Sequence, residues 1–194
     1  MMEILRQLQL LVRITRTRNI ARRYFVVNGF DGALTMLGMI MGFYVSEAAT
    51  IDVMISACLG AAIALGMSGI SSAYVSEAAE RRQELRELET AMIRDLGDAA
   101  HGRAARLVPL IIALVNGLSP LLIALAIIAP LWLSAIVPIV PALALQIAIA
   151  VAFVIIFMFG MLLGKVSETF WLLSGLRTLC IGAVTCLIIF LVSV

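Results

Sequence analysis

Five apolar runs, each about long enough to cross a lipid bilayer, constrain the fold of this chain more than any other feature. A membrane-spanning helix needs about 20 predominantly apolar residues. The runs lie at residues 24–45, 53–75, 107–129, 142–164 and 170–194. The chain is 63% hydrophobic and 13% charged, whereas soluble domains are about 45–50% apolar and about 25% charged. We therefore predict one all-α integral membrane domain, residues 1–194, with five transmembrane helices.

The 14 Lys and Arg residues all fall on one side of this five-span topology. They precede the first span, separate the second from the third, and lie between the fourth span and the start of the fifth. The positive-inside rule then predicts a cytoplasmic N-terminus and a C-terminus outside. With four or six spans, one basic segment would lie on the wrong side. No organelle-targeting segment is recognised, which favours a prokaryotic cell membrane.

Two polar segments flank these spans on the basic side. Residues 1–23 place apolar side chains at roughly helical spacing among several arginines. This pattern predicts a basic amphipathic helix on an anionic membrane surface, and a partly disordered basic arm is the alternative. Residues 77–106 mix acidic and basic side chains. We predict that they form a cytoplasmic segment that begins as an extension of the second transmembrane helix.

Asp31 is the sharpest functional signal because it lies about six residues into the first apolar run, roughly 9 Å from its start. A carboxylate at this depth costs about 2.5–3.5 kcal/mol to insert, and it usually faces a cavity, a partner or an ion path. Gly29 and Gly32 flank it and permit close approach of another backbone or an ion. The structural alternative is an ion pair with Arg177, which starts the fifth span on the same side.

An acidic stripe follows the second apolar run. Glu77, Glu80, Glu84 and Glu87 occur at i, i+3, i+7 and i+10, which is one face of a helix. Oxygen ligands on such a stripe, repeated across a dimer axis, could bind a divalent cation. The alternative is a solvated helix with Glu/Arg pairs, since Arg81 lies four residues after Glu77.

Methionine offers a second type of ligand within the apolar runs. Met36 follows Asp31 in the first run, and Met67 lies in the second. Thioether sulfur can bind soft or borderline metals, although methionine in an apolar helix more often serves packing. The single His101 cannot build a histidine site, and no HExxH motif, CxxC motif or intramembrane Ser/His pair is present. We therefore expect neither an enzyme nor a nucleic-acid-binding protein.

Two stretches of the sequence resemble a known family. Residues 25–35, FVVNGFDGALT, resemble the first-span motif of the vacuolar iron transporter family. Residues 60–69, GAAIALGMSG, together with 73–77, AYVSE, resemble the second span of that family, which continues into an acidic cytoplasmic stretch. The resemblance implies a five-helix homodimer that exports Fe2+ or Mn2+ from the cytoplasm in exchange for protons. It also implies that Asp31 and a second-span methionine line the path. Alignment of the second span places Leu65 or Gly69 at the position of that methionine, and Met67, which lies between them, is the candidate.

The sequence departs from some family members in one respect. They insert a three-helix cytoplasmic metal-binding domain between the second and third spans, whereas about thirty residues lie there in this chain. The expected partners are a second copy of the chain, divalent ions, protons and membrane lipid. We expect no resident cofactor, because the metal would be the transported ion. The candidate metal residues are Asp31, Met67, Glu77, Glu80, Glu84 and Glu87; the candidate ion-path residues are Asn28, Met36 and Asn116; the candidate charge partner is Arg177.

A function from another class is also compatible with these features. A non-transporting membrane scaffold or metal sensor would bind partners or lipid through its basic N-terminal segment and its charged cytoplasmic helix. Asp31 discriminates between the two functions, because a scaffold has no need of an intramembrane carboxylate unless Arg177 neutralises it.

Overall fold

The computed structural model describes residues 17–46, 50–93, 95, 97, 100–137 and 140–193. In these ranges the chain forms helices joined by short connections, with no strand. Each of the five helices has the length and composition needed to cross a membrane. They are α1 (Thr17–Ser46), α2 (Ile51–Met92), α3 (Ala100–Ile136), α4 (Pro141–Val166) and α5 (Trp171–Ser193). The protein is therefore a multi-pass, all-α integral membrane protein, as the apolar runs predict.

Helices dominate because lipid offers no hydrogen-bond partners, so each backbone amide and carbonyl must be satisfied within its own segment. The helix ends follow local chemistry. Pro141 occupies the first turn of α4, where its missing N–H costs nothing. At the other end of that helix, the Ser167 amide donates a hydrogen bond to the Leu163 carbonyl. Ile93 adopts a φ of 49° directly after α2, the left-handed conformation that commonly ends a helix.

Two helices extend well beyond their apolar runs. α2 continues from the second run to Met92, which confirms that the second transmembrane helix extends beyond its apolar run. Residues 17–23 are helical and continue into the first span as part of α1. Arginine is a good helix former, and nothing in 17–23 interrupts the backbone hydrogen bonds. The rest of the predicted amphipathic helix, residues 1–16, lies outside the described residues.

The chain divides into two compact units. Unit 1 contains the residues up to Phe25 together with Met67–Leu118, and unit 2 contains Val26–Gly66 with Ser119–Val194. Each has its own apolar core. The core of unit 1 is Ala73, Ala104, Val108, Ile112 and Ala113. The core of unit 2 contains side chains from α1, α2, α3 and α4, including Met36, Ile40, Cys58, Ile127 and Ile156.

Within unit 2, α4 and α5 pack through small residues. A β-carbon on Gly160 would lie 2.8 Å from the Cα atom of Gly175, and one on Gly164 would lie 3.0 Å from the Cα atom of Trp171. The Thr178 hydroxyl has one proton, which it can donate to the carbonyl of Gly175 (2.8 Å) or of Ile156 (3.2 Å) or share between them. Close approach through glycine with a hydroxyl across the interface is a common way to join helices in lipid.

Candidate functional site

The helix that carries Asp31 presents a continuous packed face to the rest of unit 2. Its buried residues recur at i, i+3, i+4, i+7, i+8 and i+11, the stripe expected of one helix face. Asp31 falls outside this stripe. The stripe is Gly29, Gly32, Ala33, Met36, Leu37 and Ile40.

The two glycines beside Asp31 allow α1 to approach its neighbours closely. A β-carbon on Gly29 would lie 2.5 Å from the Phe159 ring and 2.8 Å from the Ser119 hydroxyl oxygen. One on Gly32 would lie 2.8 Å from the Cα atom of Pro120. All three distances are shorter than real β-carbon contacts. A larger residue would therefore displace the Phe159 and Ser119 side chains at position 29 or the backbone of Pro120 at position 32. The Asn-Gly-Phe-Asp-Gly motif therefore fixes α1 against α3 and α4 inside unit 2.

Asp31 itself is exposed on the surface of the single chain. The Thr35 hydroxyl donates a hydrogen bond to the backbone carbonyl of Asp31 at 2.8 Å. Arg177 is also exposed, and no ion pair within 4.0 Å joins it to Asp31 in this chain. Because α1 crosses the membrane, an exposed carboxylate at this depth faces lipid, another copy of the chain or an ion path.

The two other predicted ion-path residues of this neighbourhood differ in their surroundings. Asn28 is half-buried, three residues before Asp31. Met36 is fully buried in the core of unit 2, where it continues the packed stripe of α1. Packing therefore accounts for the position of Met36, the alternative that applies to most methionines in apolar helices.

Met67 and Asn116 both belong to unit 1. Met67 is 57% exposed on α2. Asn116 is 3% exposed, and its Nδ2 atom donates a hydrogen bond of 2.8 Å to the Gly69 carbonyl. A β-carbon on Gly69 would lie 3.3 Å from the Asn116 carbonyl oxygen. Asn116 therefore links α3 to α2 at a point of close backbone approach, which gives it a structural role within unit 1.

The glutamate stripe on the extension of α2 is already engaged by other side chains. Arg81 lies 2.6 Å from a Glu84 oxygen and 3.7 Å from a Glu77 oxygen. The Gln83 amide donates a hydrogen bond of 3.0 Å to Glu87. These contacts match the Glu/Arg-paired helix that was the alternative to a metal-binding stripe. A metal ion would have to displace Arg81 to bind Glu77 and Glu84.

Glu77 is the unusual member of the stripe because it is only 3% exposed. The Tyr24 hydroxyl hydrogen-bonds with its carboxylate, yet one Glu77 oxygen and the Arg81 Nε atom have no hydrogen-bond partner. Burial raises the pKa of the Glu77 carboxyl, and the Arg81 guanidinium opposes this shift. Tyr24 and Glu77 lie far apart in the chain, so no local sequence pattern identifies Tyr24 as a partner of Glu77.

Within the described residues, no three His, Cys, Asp or Glu side chains come together in an arrangement that could hold a metal ion. The geometry of one helix explains this for the glutamates. Consecutive members of the stripe are separated by about 5 Å along the axis at 1.5 Å per residue, so a complete ligand set needs another element or another chain. The four glutamates therefore remain predicted metal ligands only together with ligands from another element or another chain.

Comparison with known proteins gives one distant relative. The chain is 28% identical over 175 residues to the uncharacterized protein MJ0645 of Methanocaldococcus jannaschii. The matched region covers 88% of this chain and 87% of the relative. No family model matches the chain. The similarity therefore extends over nearly the whole membrane domain and carries no assigned activity.

Proposed function

We propose that this protein is a proton-coupled divalent-metal transporter that exports Fe2+ or Mn2+ from the cytoplasm. The observation that carries the proposal is the exposure of Asp31 within a membrane-crossing helix, between two glycines that pack tightly against other helices. A carboxylate in lipid is costly, and Arg177 does not neutralise it within the chain. The resemblance of residues 25–35 to the first span of vacuolar iron transporters supports the same function.

In the proposed mechanism, the cytoplasmic glutamates attract the divalent ion, and Asp31 then binds it inside the membrane. Carboxylate oxygen is a suitable ligand for Mn2+ and an acceptable one for Fe2+. Protonation of Asp31 from the outer side would neutralise the carboxylate and release the ion. The same carboxylate would thus carry the metal in one direction and a proton in the other.

The proposal includes a homodimer in the cell membrane of a prokaryote, with the N-terminus in the cytoplasm and the C-terminus outside. The single chain leaves Asp31 exposed, and its described residues bring no three His, Cys, Asp or Glu side chains together, so a second copy would supply the opposite wall of the ion path. The distribution of all 14 basic residues supports the orientation.

A scaffold or metal sensor is the second candidate function. The Glu/Arg pairing of the α2 extension favours it, because a helix whose charges are paired can serve as a surface for partner proteins without binding ions. On this account Asp31 would lie at a protein contact rather than in a path.

Reconstitution separates the two candidates. Purified full-length protein is placed in liposomes that contain a metal-sensitive dye and an acidic interior, and Mn2+, Fe2+ or Ca2+ is added outside. We expect Mn2+ or Fe2+ to enter and the interior to become more alkaline, since protons leave in exchange, while protein-free liposomes show neither change. Absence of flux for every ion would overturn the transporter and favour the scaffold.

A further inference from the structure

We propose that unit 1 contains a binding site for an anionic phospholipid of the cytoplasmic leaflet. The site is a groove of about 310 Å³ between α2 and α3. We call it the basic groove. Its wall consists of Tyr74, Ala78, Arg82, Leu85, Gly102, Ala105, Arg106 and Pro109.

The charge of the basic groove selects an anion. Two guanidinium groups, those of Arg82 and Arg106, line it, and none of its described lining residues carries a carboxylate. Among the described residues, neither guanidinium forms an ion pair within 4.0 Å, and the ion pairs on this part of α2 involve Arg81. Arginine can bind phosphate through two parallel hydrogen bonds, which makes a pair of arginines across a groove suited to a phosphodiester.

The location of the basic groove selects a lipid rather than a soluble anion. Tyr74 lies at the end of the second apolar run, and Arg106 directly precedes the third run, which starts at residue 107. The groove thus lies where apolar helix gives way to charged segment, at the depth of lipid headgroups. Basic pockets between transmembrane helices on the cytoplasmic side are suitable sites for acidic headgroups.

The surface next to Arg106 supplies a place for the acyl chains. Leu110 and Leu114 follow Arg106 at i+4 and i+8, so the three residues form one stripe along α3. Both leucines are exposed. If the phosphate of a lipid lies between the two arginines, its acyl chains can pack along this stripe. A free phosphate would leave the stripe uncovered.

The neighbouring surface of α2 shows that the basic groove is distinct. A second concavity beside it is lined by Arg86, Glu89, Thr90 and Asp95, so its positive charge is opposed by two carboxylates. Arg86 and Arg103 lie on the same two helices as the groove arginines but do not line the groove. They provide a matched pair of controls, because their removal changes the net charge by the same amount.

Native mass spectrometry of the delipidated, detergent-solubilised protein tests the site. Phosphatidylglycerol and phosphatidylcholine with identical acyl chains are titrated separately, and inorganic phosphate is added as a soluble competitor. We expect wild type to prefer phosphatidylglycerol by roughly tenfold, since each basic residue near a membrane surface contributes appreciably to binding of acidic lipid. The Arg82→Gln/Arg106→Gln variant should lose this preference, and Arg86→Gln/Arg103→Gln should keep it.

Three results would overturn the proposal. The first is an equal loss of preference in both double variants, which would indicate diffuse attraction by net charge. The second is an unchanged preference in Arg82→Gln/Arg106→Gln. The third is displacement of phosphatidylglycerol by millimolar phosphate, which would identify a free anion as the ligand. All four arginines are exposed, so both double variants should fold. An independent measurement that needs no variant is the unfolding temperature of wild type, which phosphatidylglycerol should raise more than phosphatidylcholine does.

Discussion

Gly32 of α1 lies so close to Pro120 of α3 that a β-carbon on the glycine would be 2.8 Å from the proline Cα atom. Gly32→Ala should therefore push α1 away from α3 in unit 2 and destabilise the protein by about 1–3 kcal/mol, the usual cost of overpacking. Gly60→Ala is the matched control, because a β-carbon on Gly60 meets nothing within 4 Å. Thermal unfolding in detergent should show a lower midpoint for Gly32→Ala only. Equal midpoints would contradict the tight contact.

The hydrogen bond from Asn116 to the Gly69 carbonyl gives a second prediction. Asn116→Ala removes a buried donor and leaves a gap between α2 and α3 within unit 1. Hydrogen bonds between transmembrane helices average about 0.6 kcal/mol and reach about 1.7 kcal/mol, so we expect a loss at the upper end once the gap is included. Ser68→Ala, at an exposed position on α2, should have no measurable effect on the same unfolding curve. A role for Asn116 in the ion path alone would instead leave stability unchanged.

The buried pair of Glu77 and Arg81 predicts a pH-dependent stability. Burial raises the pKa of Glu77 in the folded protein, so the folded state holds the proton more tightly than the unfolded state. Stability then falls as pH rises from the ordinary pKa of Glu77 through its raised value. Arg81→Met removes the cation that opposes this shift, so the loss of stability with rising pH should extend to higher pH and become larger in total. At neutral pH the substitution should cost about 3 kcal/mol, typical of breaking a buried pair.

Unfolding midpoints at about pH 5 and about pH 8 check this prediction. Glu77→Gln removes the titrating group and should flatten the dependence, and combining it with Arg81→Met should recover most of the stability lost in Arg81→Met alone. If the single and double variants are equally unstable, Arg81 acts through packing rather than through the charge of Glu77.

The exposed face of α1 predicts the position of the dimer contact. Val27 lies one turn before Asp31 and is 43% exposed. In a background with Cys58, Cys180 and Cys186 replaced by alanine, Val27→Cys should yield dimers with a flexible bifunctional thiol reagent. Val154→Cys, exposed on α4, should remain monomeric under the same treatment. Cross-linking at Val154 and none at Val27 would place the contact elsewhere.

Much of the fold follows from the sequence because a bilayer restricts the choices. The run 142–164 became the helix Pro141–Val166, since Pro141 marks a helix start that hydropathy and backbone chemistry both indicate. The continuity of α1 from residues 17–23 into the first span does not follow from the apolar run, which starts at residue 24. Hydropathy identifies the part of a helix that lies in lipid, whereas a helix rich in arginine can continue into water.

The candidate site was predictable in part. The depth of Asp31 and its flanking glycines can be read from residues 28–32 alone. The contacts of those glycines with Ser119, Pro120 and Phe159 join residues far apart in the chain, and no local pattern encodes them. The contact between Tyr24 and Glu77 likewise joins residues far apart in the chain. The burial of Met36 depends on which face of α1 packs against the other helices, and the local sequence does not specify this face.

Metal flux through liposomes that contain the Asp31→Asn variant tests the central claim most directly. The substitution keeps the size of the side chain and removes its charge, and Asp52→Asn, at an exposed position in the first turn of α2, is the matched control. We predict that under an acidic-inside pH gradient Asp31→Asn loses at least about 90% of Mn2+ or Fe2+ entry, since a neutral amide can neither bind the ion strongly nor exchange it for a proton. Asp52→Asn should transport as wild type does. Equal flux through wild type and Asp31→Asn, in equally well-folded preparations, would contradict the account.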